Sequence, residues 1–113
     1  MNLADSNRIH YLDGDEEVAP GIRAILTGGH TPGSQVVVVQ TDKGNAVICS
    51  DGTDFYRNLE QHAIGMCAEL LPALQALDRF KKMASAPELI IPGHDPLVLS
   101  RFPNPMEGVA EIA

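Results

Sequence analysis

The chain has 113 residues, which is enough for one domain with its own hydrophobic core. Fifteen acidic against eight basic residues give a formal net charge of -7, which opposes binding to nucleic acid and to anionic membranes because both depend on positive charge. No apolar run approaches the roughly 18 residues that span a bilayer, and the first residues lack the pattern of a signal peptide. We therefore expect a single domain over residues 1–113, located in the cytoplasm, with no nucleic acid and no membrane as partner.

Short apolar runs separated by turn residues predict a sheet. An acidic run at residues 15–17, after the turn Asp13-Gly14, is interpreted as a solvated turn. Four consecutive valines at residues 36–39 are typical of a strand that is buried on both faces. The predicted strands are Arg8 to Leu12, Ile22 to Thr27, Gln35 to Thr41, Ala46 to Ser50 and Leu89 to Ile91, with Val109 to Ile112 as a candidate edge strand.

Two helices are predicted in the second half of the chain. Apolar residues recur every three or four positions over about 67–84, the spacing of an amphipathic helix that packs on a sheet. Pro72 requires this helix either to begin within a turn of it or to kink there. A short helix over about 96–101 follows Asp95, a good N-cap, and residues 53–64 are interpreted as a loop with a short helical turn. The predicted class is α+β, with one mostly antiparallel sheet.

Three side chains that bind metals each follow directly after a predicted strand. They are His30, in the glycine-rich loop Gly28 to Ser34, together with Asp51 and His94. Strand ends of one sheet can converge, and imidazole nitrogen with carboxylate oxygen is a donor set typical of zinc or another divalent metal. Incidental placement would also explain His30, and a turn cap would explain Asp51. The two cysteines, Cys49 and Cys67, are interpreted as buried thiols rather than nucleophiles.

Three motifs around these residues carry a family resemblance. The segments Gly29 to Ser34, Cys49 to Asp51 and Pro92 to Asp95 resemble the later metal-binding motifs of the metallo-β-lactamase fold superfamily. The segments Ser50 to Tyr56 and 92–96 are most similar to the N-acyl-homoserine lactonase family. The resemblance extends from about residue 13 to residue 102.

The resemblance implies half of an αββα sandwich with a site for two zinc ions. In such a two-metal site, His30 would bind the first metal, His94 would bind the second, and Asp51 would bridge both. Two metals about 3.5 to 4 Å apart activate a water molecule and stabilise the anionic intermediate. The implied reaction is the hydrolytic opening of a small-molecule lactone or related ester.

Two departures from the family pattern stand out. The HxHxDH motif that should precede His30 is absent, so the chain resembles only the C-terminal half of such an enzyme, with half of the metal ligands. We expect it to bind zinc weakly or not at all and to be inactive by itself. The lactonase tyrosine that assists the oxyanion is replaced at the third position after Asp51 by Asp54, which leaves Tyr56 as the catalytic candidate. Half-buried packing is the alternative role for Tyr56, and the part played by Asp54 stays open.

A second hypothesis is a non-catalytic module. A half-sandwich leaves one apolar face of its sheet without a partner layer, and residues 36–39 lie on such a sheet. The chain would then pair with the missing N-terminal half or with a second copy of itself as a homodimer.

Overall fold

The structure, a computed structural model, describes residues 8–112 and is built on one five-stranded sheet in the order β1-β2-β3-β4-β5. Hairpins connect the first four strands, which are antiparallel, whereas β5 lies parallel to β4. The predicted α+β class with a mostly antiparallel sheet is confirmed. The strands are β1 (Glu16–Ala19), β2 (Ile22–Leu26), β3 (Gln35–Thr41), β4 (Gly44–Ile48) and β5 (Ile90–Ile91).

Three helices pack on one face of this sheet, namely α1 (Tyr56–Gln61), α2 (Leu70–Met83) and α3 (Leu97–Arg101). Short 3-10 turns occupy Ser50–Gly52 and Pro87–Leu89. Within residues 8–112, every helix is too short or too polar to cross a membrane. The core joins inward strand positions to α1 and α2, and Val98 of α3 packs against it. Its buried residues are Ile25, Val36, Val38, Val47, Cys49, Tyr56, Leu59, Ala76, Leu77, Phe80 and Ile90.

The N-terminal strand prediction is wrong. Residues 8–12 form no strand, and the first strand is instead Glu16–Ala19, which includes two residues of the acidic run where a solvated turn is predicted. Glu16 pairs with Ala24 and Glu17 with Arg23, at the edge of the sheet. Charged side chains are tolerated there because they remain exposed and discourage pairing with another chain. The predicted edge strand at residues 109–112 is also wrong, since this segment forms only an isolated bridge to Met106.

The valine strand has the predicted bounds but a different burial. Val36 and Val38 are buried against the helices, whereas Val37, on the opposite face, is 36% exposed. Burial on both faces was therefore wrong for this strand. The opposite face is nonetheless apolar, with Ile22, Leu26, Val37, Val39 and Ile48.

The long helix begins at Leu70 instead of about residue 67. The two residues before Leu70 are held by another part of the chain, because the N–H groups of Ala68 and Glu69 donate hydrogen bonds to the Gly29 carbonyl. Pro72 is the third residue of α2, where its missing N–H costs no intrahelical hydrogen bond. The predicted short helix is α3, and the helical turn within residues 53–64 is α1.

Truncation of the core side of α2 should destabilise the fold much more than truncation of its outer side. Leu77 is fully buried and Leu71 is 66% exposed, so Leu77→Ala should lower the free energy of unfolding by about 2–5 kcal/mol and Leu71→Ala by about 0.5 kcal/mol or less. Urea unfolding followed by circular dichroism measures both. Equal losses in the two variants would contradict the packing described above.

Candidate metal centre

The parallel pairing of β4 with β5 brings two chain segments to one edge of the sheet. Val47 pairs with Ile90 and Ile48 with Ile91, so both strands end at the same edge. Cys49 continues the pairing, since its N–H donates to the Ile91 carbonyl at 2.9 Å. The turn that contains Asp51 and the loop that contains His94 therefore leave the sheet side by side.

Gly93 allows these two segments to approach closely. A Cβ atom at Gly93 would lie 2.6 Å from the carbonyl carbon of Ser50, so no other residue fits without a shift of the backbone. Ser50 itself has a φ of 47°, a left-handed conformation that is unfavourable for a residue with a side chain. Asp51 is thus presented by a strained turn that presses against the His94 loop.

The loop between β2 and β3 carries His30 and is fixed against α2. Gly29 has a φ of +87°, and a Cβ there would lie 2.7 Å from the Cα of Ala73. His30 Nδ1 lies 3.2 Å from the Met66 carbonyl oxygen. Because a carbonyl can only accept, Nδ1 carries the hydrogen, and the lone pair of a neutral ring is then at Nε2. A backbone partner of this kind is the usual way of orienting a metal-binding histidine.

Three side chains form the candidate metal cluster, namely Asp51, Asp54 and His94. His94 Nε2 lies 2.8 Å from Asp51 Oδ1 and 4.0 Å from Asp54 Oδ1. One donor atom from each residue lies within 4.8 Å of the others. His30 lines a separate small cavity of about 270 Å³ that also includes Asp51. Asp51 therefore contacts His94 and also lines the cavity that His30 lines.

The donor set fits a divalent metal. It combines imidazole nitrogen with carboxylate oxygen, and the donor atoms lie within 4.8 Å of one another. Asp54 belongs to this cluster but has no assigned role in the metal site predicted from the sequence. Its only signal in the sequence is its position three residues after Asp51, in the segment that leaves the same strand end.

In the metal-free chain, Asp51 and His94 perturb each other. The His94 hydrogen bond lowers the pKa of Asp51 below 3.8, and the Asp51 hydrogen bond raises the pKa of His94 above 6.5. The raised pKa of His94 means that its part of the stabilisation is present below pH 6.5 and is lost as the pH rises through the raised value. The lowered pKa of Asp51 means that its part is present above pH 3.8 and is lost as the pH falls through the lowered value. The pair therefore stabilises the fold most between these limits.

Tyr56, the catalytic candidate, lies in the hydrophobic core. Its side chain is 5% exposed, and its hydroxyl has no hydrogen-bond partner among the described residues. The Arg101 guanidinium lies 3.7 Å above the centre of the ring. Burial raises the pKa of Tyr56, and Arg101 opposes this rise. Tyr56 lines a cavity of about 630 Å³ that includes none of the three predicted metal ligands. This geometry favours packing as the role of Tyr56.

The cysteines lie outside the cluster. Cys49 is fully buried, and burial raises the pKa of its thiol to about 12, so it stays protonated at neutral pH. Cys67 is only partly buried, in the segment before α2.

Curated relatives of the chain share one description. The chain is 33% identical over 88 residues to an N-acyl homoserine lactonase from a Bacillus species, a match that covers 74% of the chain and 34% of that relative. It is 32% identical over 88 residues to the N-acyl homoserine lactonase AiiA of Bacillus thuringiensis subsp. kurstaki, with the same coverage. The chain spans about a third of the length of the curated relatives it matches. No protein-family model matches the chain.

The solved structures that resemble this chain are also N-acyl homoserine lactone hydrolases. An N-acyl homoserine lactone hydrolase, solved with the product N-hexanoyl-L-homoserine bound at its catalytic metal centre, superposes with a TM-score of 0.66 at 30% sequence identity. The superposition covers 75% of this chain and 35% of that chain. A quorum-quenching N-acyl homoserine lactone hydrolase matches with the same TM-score and identity.

Removal of the Asp51 charge should lower the pKa of His94. In Asp51→Asn the pKa of His94 should fall towards 6.5, because a neutral amide stabilises the imidazolium less than a carboxylate does. NMR titration of the imidazole resonances of metal-free protein in a chelator measures this. Asp42→Asn, the same substitution at an exposed position in the β3-β4 turn, is the control. An unchanged His94 pKa in Asp51→Asn would contradict the hydrogen bond between the two residues.

Proposed function

Because this chain is homologous to the N-acyl homoserine lactonases over 74% of its length, we propose that it supplies part of the metal centre of a hydrolase that opens a lactone or related ester. His30, Asp51 and His94 are the proposed metal ligands. The substrate is a small molecule of the N-acyl homoserine lactone kind, by analogy with the solved relatives. Zinc is the proposed metal, two ions in a complete site.

The observation that carries this proposal is the position of Asp51. Its carboxylate contacts His94 directly and shares a small cavity with His30. This arrangement supports a carboxylate that serves two metal positions. His30 further supports the proposal because its Nδ1 hydrogen bond leaves Nε2 for a metal.

The residues of this chain would act by holding the metals and orienting the ligands. A divalent metal, when bound, supplies Lewis acidity that polarises the substrate carbonyl and acidifies a water molecule. The Met66 carbonyl and the close contact at Gly93 fix the directions of His30 and His94 before any metal binds. In the metal-free state His94 Nε2 donates a hydrogen bond to Asp51 Oδ1, and this hydrogen must leave before Nε2 can bind a metal. A role of Tyr56 as oxyanion donor has less structural support than the metal ligands have, because the Tyr56 hydroxyl is buried.

Zinc binding by the chain tests the proposed ligands. We expect His30→Asn and His94→Asn each to weaken zinc binding at least tenfold, and His62→Asn, a surface histidine that pairs with Asp78, to leave it unchanged. Equilibrium dialysis with metal analysis measures the affinities. Equal effects in all three variants, or no effect in any, would contradict the ligand assignment.

Activity is a separate measurement on the same samples. We expect the zinc-loaded chain to open an N-acyl homoserine lactone slowly or not at all, because the HxHxDH ligands are absent from it. Tight stoichiometric zinc with rapid turnover would contradict the expected inactivity and leave the ligand assignment in place.

An apolar sheet surface supports the alternative function, a homodimerising module. All three helices contribute to the core on one face of the sheet. The opposite face, which carries Ile22, Leu26, Val37, Val39 and Ile48, has no helical layer in the described part of the chain. An apolar face of this kind is a suitable surface for a second copy.

Light scattering at micromolar concentration tests the alternative. The chain should be a dimer, and Val37→Lys should shift it to a monomer because a charge at the centre of the apolar face would be buried without a partner. Leu71→Lys, on the exposed side of α2, should leave the dimer intact. A monomeric unmodified chain would rule the module out.

A further inference from the structure

We propose that Asp54 is a metal ligand in this chain, so that Asp51, Asp54 and His94 together hold one divalent cation such as zinc or cobalt. This inference rests on the proposed metal centre and adds one ligand to it. The sequence motifs give Asp54 no part in the metal site.

Backbone contacts place Asp54 beside His94. The Gly93 N–H donates to the Thr53 carbonyl at 3.0 Å, and the His94 N–H donates to the Asp54 carbonyl at 3.0 Å. Thr53 is 1% exposed, which anchors this pair of segments in the fold. The cluster therefore needs little rearrangement of the main chain to bind an ion.

The carboxylate of Asp54 is the least satisfied of the three groups. Asp51 accepts a hydrogen bond from His94, whereas the Asp54 carboxylate accepts none from residues 8–112, and His94 Nε2 lies 4.0 Å from its Oδ1 atom. Its side chain is only 30% exposed, so water satisfies it less fully than it does a free surface carboxylate. A carboxylate held in this way gains a partner when a cation binds between it and His94.

The geometry is close to that of ligands around one ion. Zinc–nitrogen and zinc–oxygen bonds of about 2.0–2.2 Å separate two ligand atoms by roughly 3 to 4 Å. The donor atoms of the cluster lie within 4.8 Å of one another, so side-chain rotations alone would close the remaining gap. Two carboxylates and one neutral imidazole also carry two negative charges, which match the charge of a divalent cation.

Cobalt binding by the whole 113-residue chain tests this inference. Titration with Co²⁺, followed by its visible absorption, should show an ion bound at this cluster, and Asp54→Asn should weaken that binding at least tenfold and shift the absorption bands because water replaces a ligand. Asp54→Glu, which keeps a carboxylate, should recover part of the affinity. Asp42→Asn removes the same charge away from the cluster and should bind as the unmodified chain does. Circular dichroism checks that each variant is folded.

The outcomes separate this inference from the proposed function. If Asp54→Asn binds Co²⁺ as the unmodified chain does while Asp51→Asn and His94→Asn lose it, Asp54 is not a ligand and the proposed centre stands. If weaker binding in Asp54→Asn leaves the absorption bands unchanged, Asp54 acts only through its charge and the inference is overturned. If neither Asp51→Asn nor His94→Asn alters binding, the proposed centre itself is wrong. The absence of any binding at millimolar Co²⁺ would also overturn the inference.

Discussion

The close contact between the Ser50–Gly52 turn and the loop at Gly93 is the constraint on which the candidate site depends. The parallel pairing of β4 and β5 brings the two segments to one edge, and only a glycine at position 93 permits the final approach. Hydrogen bonds from the Gly93 and His94 N–H groups to the carbonyls of residues 53 and 54 then hold the two main-chain segments together. The site is therefore a product of backbone packing, and the side chains meet because the main chains do.

The elements that were predicted correctly are those whose bounds are set by residues within or next to the element. The bounds of β3 were exact because turn residues flank a β-branched run, and Pro72 correctly marked the first turn of α2. The strand Glu16–Ala19 was missed because its residues have poor strand propensity, and only pairing with β2 makes them a strand. The helix start was misplaced because residues 68 and 69 bind the Gly29 carbonyl, a tertiary contact that periodicity does not reveal.

The same distinction applies to the site. His30, Asp51 and His94 could be selected because each follows a strand in a glycine-containing loop. Asp54 could not be assigned, since its approach to His94 depends on backbone hydrogen bonds between segments distant in sequence. For Tyr56 the sequence suggests a role at the site that the structure does not favour. Its closeness in sequence to Asp51 predicts a catalytic position, whereas α1 directs its side chain into the core. The sequence indicates which residues lie near strand ends. Which of their side chains face the site depends on how a following helix is rotated about its axis.

The connectivity of the sheet has a consequence for folding order. The first four strands form by successive hairpins, whose closure involves short loops and is fast. The pairing of β5 with β4 must instead close a long crossover through α1 and α2, and Asp51 and His94 are 43 positions apart. We expect the metal cluster to assemble late on the folding pathway, after the hairpins that carry His30. A cation that binds this cluster would then act mainly by slowing unfolding, because it stabilises contacts that the transition state has not yet made.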